Sequence, residues 1–351
     1  MKRTYIKGLL ETLLIGLVGG FLFNLGNLPL PWVLGPMAFV ACWQGITKRI
    51  INLPIHFKNT GLLTLGTYFG LYFTKETFLI IGPYIIPYIV VTIALIFISI
   101  VNSLLITKWI PIDKVTSVFG SIPGGLSEMV VASEALHAKS SLVAIFQTVR
   151  LITVLFTVPF IIVMLFNGDA SLVDEIAHSS INFQLSYFWF LLPIVGGVLL
   201  RNIMPAGIVI IPLLITAVIN SVITPIGNLP PTILIIAQLL VGISIGKNIF
   251  FKDLKLGGKY CFMYFALTLV LIAVSLGLGV LLSLFTTLSL ATAMLSIAPG
   301  GLIEMVLVAT SVGGDPAIVS SLQLIRILII IVFVPTVLKW YFKKTGLKEA
   351  A

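Results

Sequence analysis

The chain has 351 residues, of which 59% are hydrophobic and only 9% are charged. A soluble domain carries about 25% charged residues, so this composition excludes a soluble globular protein and predicts an integral membrane protein. The formal net charge of +9 comes from basic residues beside apolar runs, which is typical of topology signals and not of a nucleic-acid partner. The two cysteines and three histidines are scattered, so we expect no metal site and no bound cofactor.

Long apolar runs follow one another along the chain and predict α-helices, because alternating segments are rare. In chain order the runs cover residues 9–26, 31–47, 57–74, 77–106, 115–137 and 140–166, and then 186–203, 207–223, 231–250, 260–285, 288–312 and 316–342. Most of them approach or reach the length of about 17–25 residues that a membrane span needs.

The second half of the chain repeats the first at an offset of 176 residues. The segment PGGLSEM at Pro123–Met129 recurs as PGGLIEM at Pro299–Met305. The same offset relates further pairs, which are Gln147 and Gln323, Arg150 and Arg326, Gly66 and Gly242, Gly70 and Gly246, and Gln44 and Asn220. The glycines have the four-residue spacing of close helix packing, and the last pair is expected to form hydrogen bonds near span ends. We therefore predict one duplicated membrane domain, with repeats at residues 1–175 and 176–351.

Each Pro-Gly-Gly sequence lies in the middle of the fifth apolar run of its half. Proline lacks an N–H group and glycine allows unusual φ values, so we expect a tight tip between two half-helices of about ten residues each. Such a segment either enters and leaves on one side of the membrane, as a re-entrant hairpin, or crosses the membrane as a broken helix.

The distribution of basic residues favours the re-entrant alternative. With five spans per half and a cytoplasmic N-terminus, 18 of the 21 lysines and arginines lie on the cytoplasmic side and only Lys75 lies outside. The acidic segment with Asp169, Asp174 and Glu175 is then external. With six spans per half, seven basic residues move outside. We therefore predict an all-α polytopic protein of the plasma membrane, with ten spans in two inverted repeats and both termini cytoplasmic.

The half-helix after each tip presents free N–H groups and the positive end of its dipole, which suits an anion. Glu128 and Glu304 fall about one turn into these half-helices, and we expect them to exchange a proton or a sodium ion. The predicted substrate-binding residues are Pro123, Gly124, Gly125, Ser127, Gln147, Arg150, Pro299, Gly300, Gly301, Gln323 and Arg326. An alternative is that the glutamates and arginines form ion pairs that hold the tips in place, and both roles are compatible. Ser127 is replaced by Ile303 in the second copy, so the two halves would contribute unequally to a site there.

The doubled PGGLxEM followed by Gln-x-x-Arg resembles the AbrB duplication-domain family of bacterial membrane proteins, and the resemblance covers the whole chain. Labels in that family include an ammonia monooxygenase and a regulator. The sequence supports neither, because three scattered histidines do not supply copper or iron ligands and we find no soluble DNA-binding domain. The layout is also similar to secondary transporters with inverted five-helix repeats, such as glutamate and citrate symporters, and this resemblance implies transport.

We therefore predict a secondary transporter for a small anionic organic solute, coupled to protons or sodium ions. The alternatives are an intramembrane enzyme and a membrane regulatory protein that does not transport. The expected partners are membrane lipid and the solute, and a homodimer is compatible with the sequence.

Overall fold

The computed structural model describes residues 2–49, 51, 53–166, 185–204, 206–224, 226–227 and 229–344, and their regular elements are all helical. The first half contains α1 (Lys2–Leu25), α2 (Pro31–Thr47), α3 (Ile55–Gly70), α4 (Lys75–Ile106), α5 (Lys114–Ser121), α6 (Leu126–Glu134) and α7 (Ser140–Phe166). The second half begins with a 3-10 helix (Leu185–Phe190). It continues with α8 (Leu191–Leu200), α9 (Gly207–Val218), a π-helical turn (Ile219–Ile223), α10 (Pro231–Gly246), α11 (Phe251–Gly257), α12 (Lys259–Phe285), α13 (Leu290–Ile297), α14 (Leu302–Ser311) and α15 (Pro316–Lys344). The predicted acidic segment between the repeats, with Asp169, Asp174 and Glu175, lies outside the described residues.

Several helices of the second half begin at the 176-residue offset of the sequence repeat. In the first half α2, α3, α5, α6 and α7 begin at Pro31, Ile55, Lys114, Leu126 and Ser140. Their counterparts α9, α10, α13, α14 and α15 begin 176 residues later, at Gly207, Pro231, Leu290, Leu302 and Pro316. These five helices therefore recur at the offset, whereas the single helix α4 corresponds to the two helices α11 and α12.

Five of the described helices are long and apolar enough to cross a membrane. These are Ile6–Leu25, Lys75–Ile106, Ser140–Phe166, Lys259–Phe285 and Pro316–Leu338. A sixth span results if α10 and α11, which meet at a bend of 43°, are counted as one. An integral membrane protein is consistent with these helices, while the count of ten spans stays a prediction.

The chain forms two compact units, and each unit contains residues of both halves. Unit 1 comprises residues 1–82, 159–250 and 306–320, and unit 2 comprises residues 83–158, 251–305 and 321–351. The helices α4, α7, α14 and α15 contribute residues to both units.

Unit 1 is built by contacts between the two halves. Helix α2 of the first half packs on α10 of the second half, and α3 of the first half packs on α9 of the second half. We call such reciprocal contacts between the halves exchanged contacts. A Cβ atom added to Gly246 in α10 would lie 2.5 Å from the Met37 carbonyl oxygen in α2. A Cβ atom added to Gly70 in α3 would lie 2.5 Å from the Leu213 carbonyl oxygen in α9. Only glycine permits so close an approach of two helix backbones, so the predicted packing role of these glycines is confirmed.

Two amide side chains of unit 1 cap helix ends in the same exchanged manner. Gln44 at the end of α2 donates to carbonyl oxygens that follow α10, and Asn220 after α9 donates to carbonyl oxygens that follow α3. The bonds join Gln44 Nε2 to the oxygens of Lys247 and Ile249, at 3.2 and 3.3 Å, and Asn220 Nδ2 to the oxygens of Leu71 and Phe73, at 2.9 and 3.0 Å. The carbonyl groups at a helix end have no partner within the helix, so each half satisfies the helix ends of the other.

Unit 2 shows a third exchange, between two tyrosines at the 176-residue offset. The Tyr88 hydroxyl of α4 donates to the Ser296 carbonyl oxygen of α13 at 2.9 Å. The Tyr264 hydroxyl of α12 donates to Ser117 Oγ of α5 at 2.8 Å. These bonds connect the long helices α4 and α12 to the short helices that precede the Pro-Gly-Gly sequences.

Candidate functional site at the two breaks

The two Pro-Gly-Gly sequences interrupt their helices, as the sequence predicted. Helix α5 ends at Ser121 and α6 begins at Leu126, while α13 ends at Ile297 and α14 begins at Leu302. We call residues 122–125 the first break and residues 298–301 the second break. Each break places backbone groups that no helix satisfies inside an apolar sequence.

The predicted reason for the glycines is wrong, because no glycine of either break has a positive φ. Gly125, for example, has φ −66° and ψ 136°, which is extended backbone open to any residue. A side chain at Gly124 or Gly300 would displace the flexible end of a methionine side chain. A Cβ atom on Gly124 would lie 2.7 Å from Met129 Cε, and one on Gly300 would lie 2.5 Å from Met305 Cε. The Gly and Met positions of PGGLxEM are therefore linked by packing.

A glutamine and an arginine of α7 hold the first break. Gln147 Nε2 donates to the carbonyl oxygens of Phe119 and Ile122, at 2.6 and 3.0 Å. Arg150 Nη1 donates to the same Ile122 oxygen at 2.6 Å, and its Nη2 donates to the Gly124 oxygen at 2.9 Å. Both side chains are buried. The predicted Gln-x-x-Arg pair thus meets the Pro-Gly-Gly sequence at its backbone oxygens.

The second break is held in the same way by α15. Gln323 Nε2 donates to the oxygens of Leu295 and Ala298, at 2.7 and 3.3 Å. Arg326 Nη1 donates to the Ala298 oxygen, and its Nη2 donates to the Gly300 oxygen at 2.7 Å. Every one of these partners lies 176 residues after its counterpart in the first copy. We call each set of one glutamine, one arginine and their carbonyl partners a clamp.

The clamps supply donors that the prolines remove. In an unbroken helix the Phe119 oxygen would accept from the N–H of residue 123 and the Leu295 oxygen from that of residue 299, but both of these residues are prolines. The glutamine amide donates to these oxygens in place of the missing N–H group. The arginine adds positive charge at the carbonyl end of the preceding helix, where the dipole favours it.

Glu304 lies in the first turn of α14, and its side chain is only 5% exposed. Its carboxylate lies near its own backbone N–H and over Gly301, where a side chain would collide with it. Among the described residues, the one ion pair with an N–O distance of 4.0 Å or less joins Arg49 to Glu11 at the surface. The alternative prediction of a Glu304–arginine ion pair is therefore not met in this arrangement.

The side chains of Ser127 and Glu128 lie outside the described residues, although their backbone belongs to α6. The predicted coupling role of Glu128 and the contrast between Ser127 and Ile303 stay predictions. Ile303 is buried in α14.

The two clamps lie close to each other within unit 2. Arg150 and Arg326 interact electrostatically, although both guanidinium groups carry positive charge. A Cβ atom on Gly124 in the first break would lie 3.1 Å from Ile330 Cγ2, one helical turn beyond Arg326 in α15. Two buried cations repel each other, so an anion near them would stabilise the arrangement.

Sequence reasoning missed a cluster of hydroxyl groups beside the first break. Ser117 Oγ receives hydrogen bonds from the hydroxyls of Ser103 and Tyr264, at 3.2 and 2.8 Å, and donates to the Ser103 carbonyl oxygen at 2.9 Å. Ser121 and Tyr264 also lie around a gap too small for a water molecule, together with Ser99, Asn102, Gly120 and Thr268. The available signal was the i, i+4 spacing of Ser99 with Ser103 and of Ser117 with Ser121, because such residues share one helix face. In the second half Gly279, Ala293 and Ile297 stand where the first has Ser103, Ser117 and Ser121.

Within the described part of the chain, no group of three or more His, Cys, Asp or Glu side chains is placed to hold a metal ion. The buried polar groups described at the site are amides, guanidinium groups, hydroxyls and the Glu304 carboxylate, all of which can form hydrogen bonds.

Comparison with known proteins identifies relatives that match 90% or more of the chain. "Uncharacterized protein YhjN" of Bacillus subtilis (strain 168) is 22% identical over 357 residues, covering 92% of this chain and 90% of the relative. "Putative regulator AbrB" of Escherichia coli (strain K12) is 28% identical over 327 residues, covering 90% of each chain. No solved structure matches.

The family described as "Transition state regulatory protein AbrB" matches this chain at residues 2–78 and 32–342. Those residues include both breaks, both clamps and Glu304. The chain therefore belongs to the AbrB family.

Proposed function

We propose that the protein is a secondary transporter for a small anionic organic solute and that the two breaks form its solute site. The observation that carries this proposal is the duplicated clamp, in which buried Gln and Arg side chains hold the open backbone of two interrupted apolar helices. Irregular backbone at membrane depth is tolerated where protein surrounds it or where it lines a cavity, and paired broken helices of this kind mark transport sites.

The charge of the solute follows from the two arginines. Arg150 and Arg326 are buried and interact with each other, so unit 2 concentrates positive charge next to both breaks. An anion that binds between the breaks would offset this repulsion and would also face the free N–H groups at the start of α6 and α14. We therefore assign an anionic solute, with the clamps as its binding residues.

Coupling to a proton or a sodium ion is assigned to the two glutamates. The Glu304 carboxylate is buried at the start of α14 and lies near its own backbone N–H. A carboxylate in this position competes with a solute anion for the same end of the helix. Protonation or sodium binding would remove that competition, and Glu128 is the equivalent residue of the first copy.

We further propose that the two halves are inverted in the membrane, with ten spans, two re-entrant breaks and both termini in the cytoplasm. Contacts between α3 and α10, which are equivalent helices of the two halves, support inversion. Lys247 at the end of α10 donates to the Leu53 oxygen just before α3, at 2.9 Å. Near the middle, a Cβ atom on Gly61 would lie 2.8 Å from the Ala237 oxygen. The residue numbers rise along one helix as they fall along the other, so these contacts fit an antiparallel pair.

Uptake by proteoliposomes tests the transport proposal. Purified protein is reconstituted, and uptake of labelled small carboxylates is measured with a proton gradient, with a sodium gradient and with neither. We expect uptake that one of the gradients drives in the wild type and that the Glu128→Gln, Glu304→Gln double variant loses. The control is Glu11→Gln, which changes a surface carboxylate. Uptake with normal coupling in the double variant contradicts the role of the glutamates, and absence of uptake for every carboxylate contradicts the transport of an anionic organic solute. The Escherichia coli relative is named a putative regulator, and a regulator that does not transport would also give no uptake.

Labelling of cysteines tests the topology. Cys42 and Cys261 are first replaced by serine, and single cysteines are then introduced at residues 251–259. We expect that a membrane-impermeant maleimide does not label them in intact cells. Labelling from outside would contradict the inverted arrangement.

A further inference from the structure

Six exposed lysines of unit 2 lie in three segments of the chain that pack together. The segments are residues 106–114 around the connection of α4 to α5, residues 134–139 between α6 and α7, and residues 251–259, which contain α11 and the start of α12. The exposed lysines are Lys108, Lys114, Lys139, Lys252, Lys255 and Lys259. We call the three segments together the basic end of unit 2.

Buried contacts hold the segments of the basic end together. Ile110 of the first segment belongs to one apolar cluster with Ile145 of α7, and Leu254 of α11 packs against this cluster. A Cβ atom on Gly257 would lie 3.0 Å from Ile145 Cγ2, so the end of α11 contacts α7. The Lys139 N–H donates to Thr116 Oγ1 at 2.9 Å, which places the start of α7 beside the start of α5. Lysines that are far apart in the sequence therefore share one surface.

The positive charge of this surface is not neutralised by its own carboxylates. The three segments contain six lysines and three acidic residues, which gives a formal charge of +3. One of the acidic residues, Asp113, accepts from the Thr116 N–H at the start of α5. None of the six lysine nitrogens lies within 4.0 Å of a carboxylate oxygen among the described residues. The positive field is therefore available to an anion from outside the chain.

The duplicated counterpart of the basic end shows that the fold forms without these lysines. At the 176-residue offset the three segments correspond to residues 282–290, 310–315 and 75–83, whose charged residues are Lys75, Glu76 and Asp315. Their formal charge is −1. In order, the six lysines correspond to Leu284, Leu290, Asp315, Glu76, Leu79 and Pro83. The lysines of the basic end therefore serve the orientation of the chain or the binding of a partner, and not the folding of the repeat.

Large apolar side chains are exposed beside the lysines. Trp109 is 76% exposed and follows Lys108, while Leu256 is 77% exposed and follows Lys255. A soluble anion needs no apolar neighbour, whereas a phospholipid presents a phosphate group and acyl chains close together. Lysines next to exposed tryptophan and leucine side chains are typical of surfaces that bind anionic lipid.

We propose that the basic end of unit 2 binds anionic phospholipids. The headgroup phosphate accepts hydrogen bonds from the lysines, and the acyl chains lie against Trp109 and Leu256. Under the proposed topology this end faces the cytoplasm, where lysines beside a membrane span attract anionic lipid. The inference goes beyond transport and does not depend on the identity of the solute.

Native mass spectrometry of the purified protein in a non-ionic detergent tests the proposal. The affinities for phosphatidylglycerol and for phosphatidylcholine are measured by titration, and we expect the wild type to prefer phosphatidylglycerol. Each lysine near an anionic lipid contributes about fivefold to affinity. The triple variant Lys108→Gln, Lys139→Gln, Lys255→Gln takes one lysine from each segment, so it should lower the preference by about tenfold to a hundredfold.

A matched variant separates binding at this surface from general attraction by net charge. Lys7→Gln, Lys48→Gln, Lys58→Gln also removes three lysines that the sequence places in the cytoplasm, but these belong to unit 1. We expect this variant to keep at least about half of the preference. An equal loss in both triple variants, or no preference in the wild type, overturns the proposal.

Glycerol phosphate, which has the phosphate group without acyl chains, is the second control. We expect it to displace phosphatidylglycerol only at concentrations far above the dissociation constant of the lipid. Displacement near that constant would assign the surface to a soluble anion and would refute the lipid proposal. The exchanged lysines lie outside the breaks and the clamps, so lipid binding can be measured whether or not the protein transports an acid.

Discussion

Replacing Gln323 by methionine in the solute-free protein should cost less stability than replacing Gln44, although both glutamines bond two carbonyl oxygens. Methionine keeps the length of the side chain and removes both amide atoms. At Gln44 the substitution removes three hydrogen bonds, because Oε1 accepts from the Ile51 N–H in addition to the two bonds of Nε2. With about 1–3 kcal/mol for each buried backbone group left without a partner, and less for the partly buried Lys247 oxygen, we expect a loss of about 2–5 kcal/mol.

At Gln323 the same substitution leaves one carbonyl group without a donor. The Leu295 oxygen loses its bond, whereas the Ala298 oxygen keeps its bond from Arg326. The substitution also removes the unpartnered Oε1, whose burial is itself unfavourable by about 1–3 kcal/mol. The two contributions nearly cancel, so the net loss should be about 0–2 kcal/mol.

Reversible chemical unfolding in detergent micelles, without added acids, measures both free energies in parallel. Gln323→Met must be the milder substitution by at least about 1 kcal/mol. An equal or larger loss would mean that the Gln323 oxygen has a partner, and the hydrogen-bond account of the clamp would be wrong. The equivalent variant Gln147→Met should behave like Gln323→Met, because its contacts are the same.

Three further predictions concern the helices around the site. Gly70→Ala and Gly246→Ala each place a methyl group 2.5 Å from a backbone oxygen, so each should destabilise the protein by about 1–3 kcal/mol to a similar extent, as measured by thermal unfolding. Asp113→Ala removes the side chain that accepts from the Thr116 N–H at the start of α5, and a loss of about 0.5–2 kcal/mol is expected in the same assay. Gly301→Ala collides with the flexible end of Glu304 and should change the coupling of uptake while the melting temperature shifts by only a few degrees, since a carboxylate moves easily.

A specific result would contradict each of these three predictions. A Gly246→Ala protein as stable as the wild type would show that α2 and α10 are not in backbone contact. Unchanged stability after Asp113→Ala would show that the Asp113 side chain does not cap α5. Normal coupling in Gly301→Ala, with the melting temperature unchanged, would indicate that the position of the Glu304 carboxylate does not matter for transport.

The positions of the breaks and the clamp residues could be predicted because they depend on local chemistry. Proline ends a helix wherever the helix lies, and residues three apart, such as Gln323 and Arg326, share a helix face. The 176-residue offset then fixed the equivalent positions. The family resemblance stated on the same residues is confirmed by the match that covers both breaks.

What the arginines bond to could not be predicted from spacing. The sequence offered carboxylates as partners, but both arginines donate to the carbonyl oxygens that the breaks expose, and these oxygens need donors. The prediction that the glycines adopt unusual φ values was wrong for a similar reason. Gly124 packs against Met129, which is a tertiary contact, and its φ is not positive. The hydroxyl cluster around Ser117 was not predicted because only tertiary contacts bring its side chains together.

The exchanged contacts described above have a consequence for the origin of the chain. Gln44 completes helix ends of the second half, and Asn220 completes helix ends of the first half. Tyr88 and Tyr264 make the same kind of exchange in unit 2. A single ancestral half would therefore have lacked donors at its own helix ends and could obtain them only from a second copy of itself. The present chain carries that dimer in one polypeptide. The fusion let the two copies diverge, and the cluster of serine hydroxyls that occurs in the first half alone is an example.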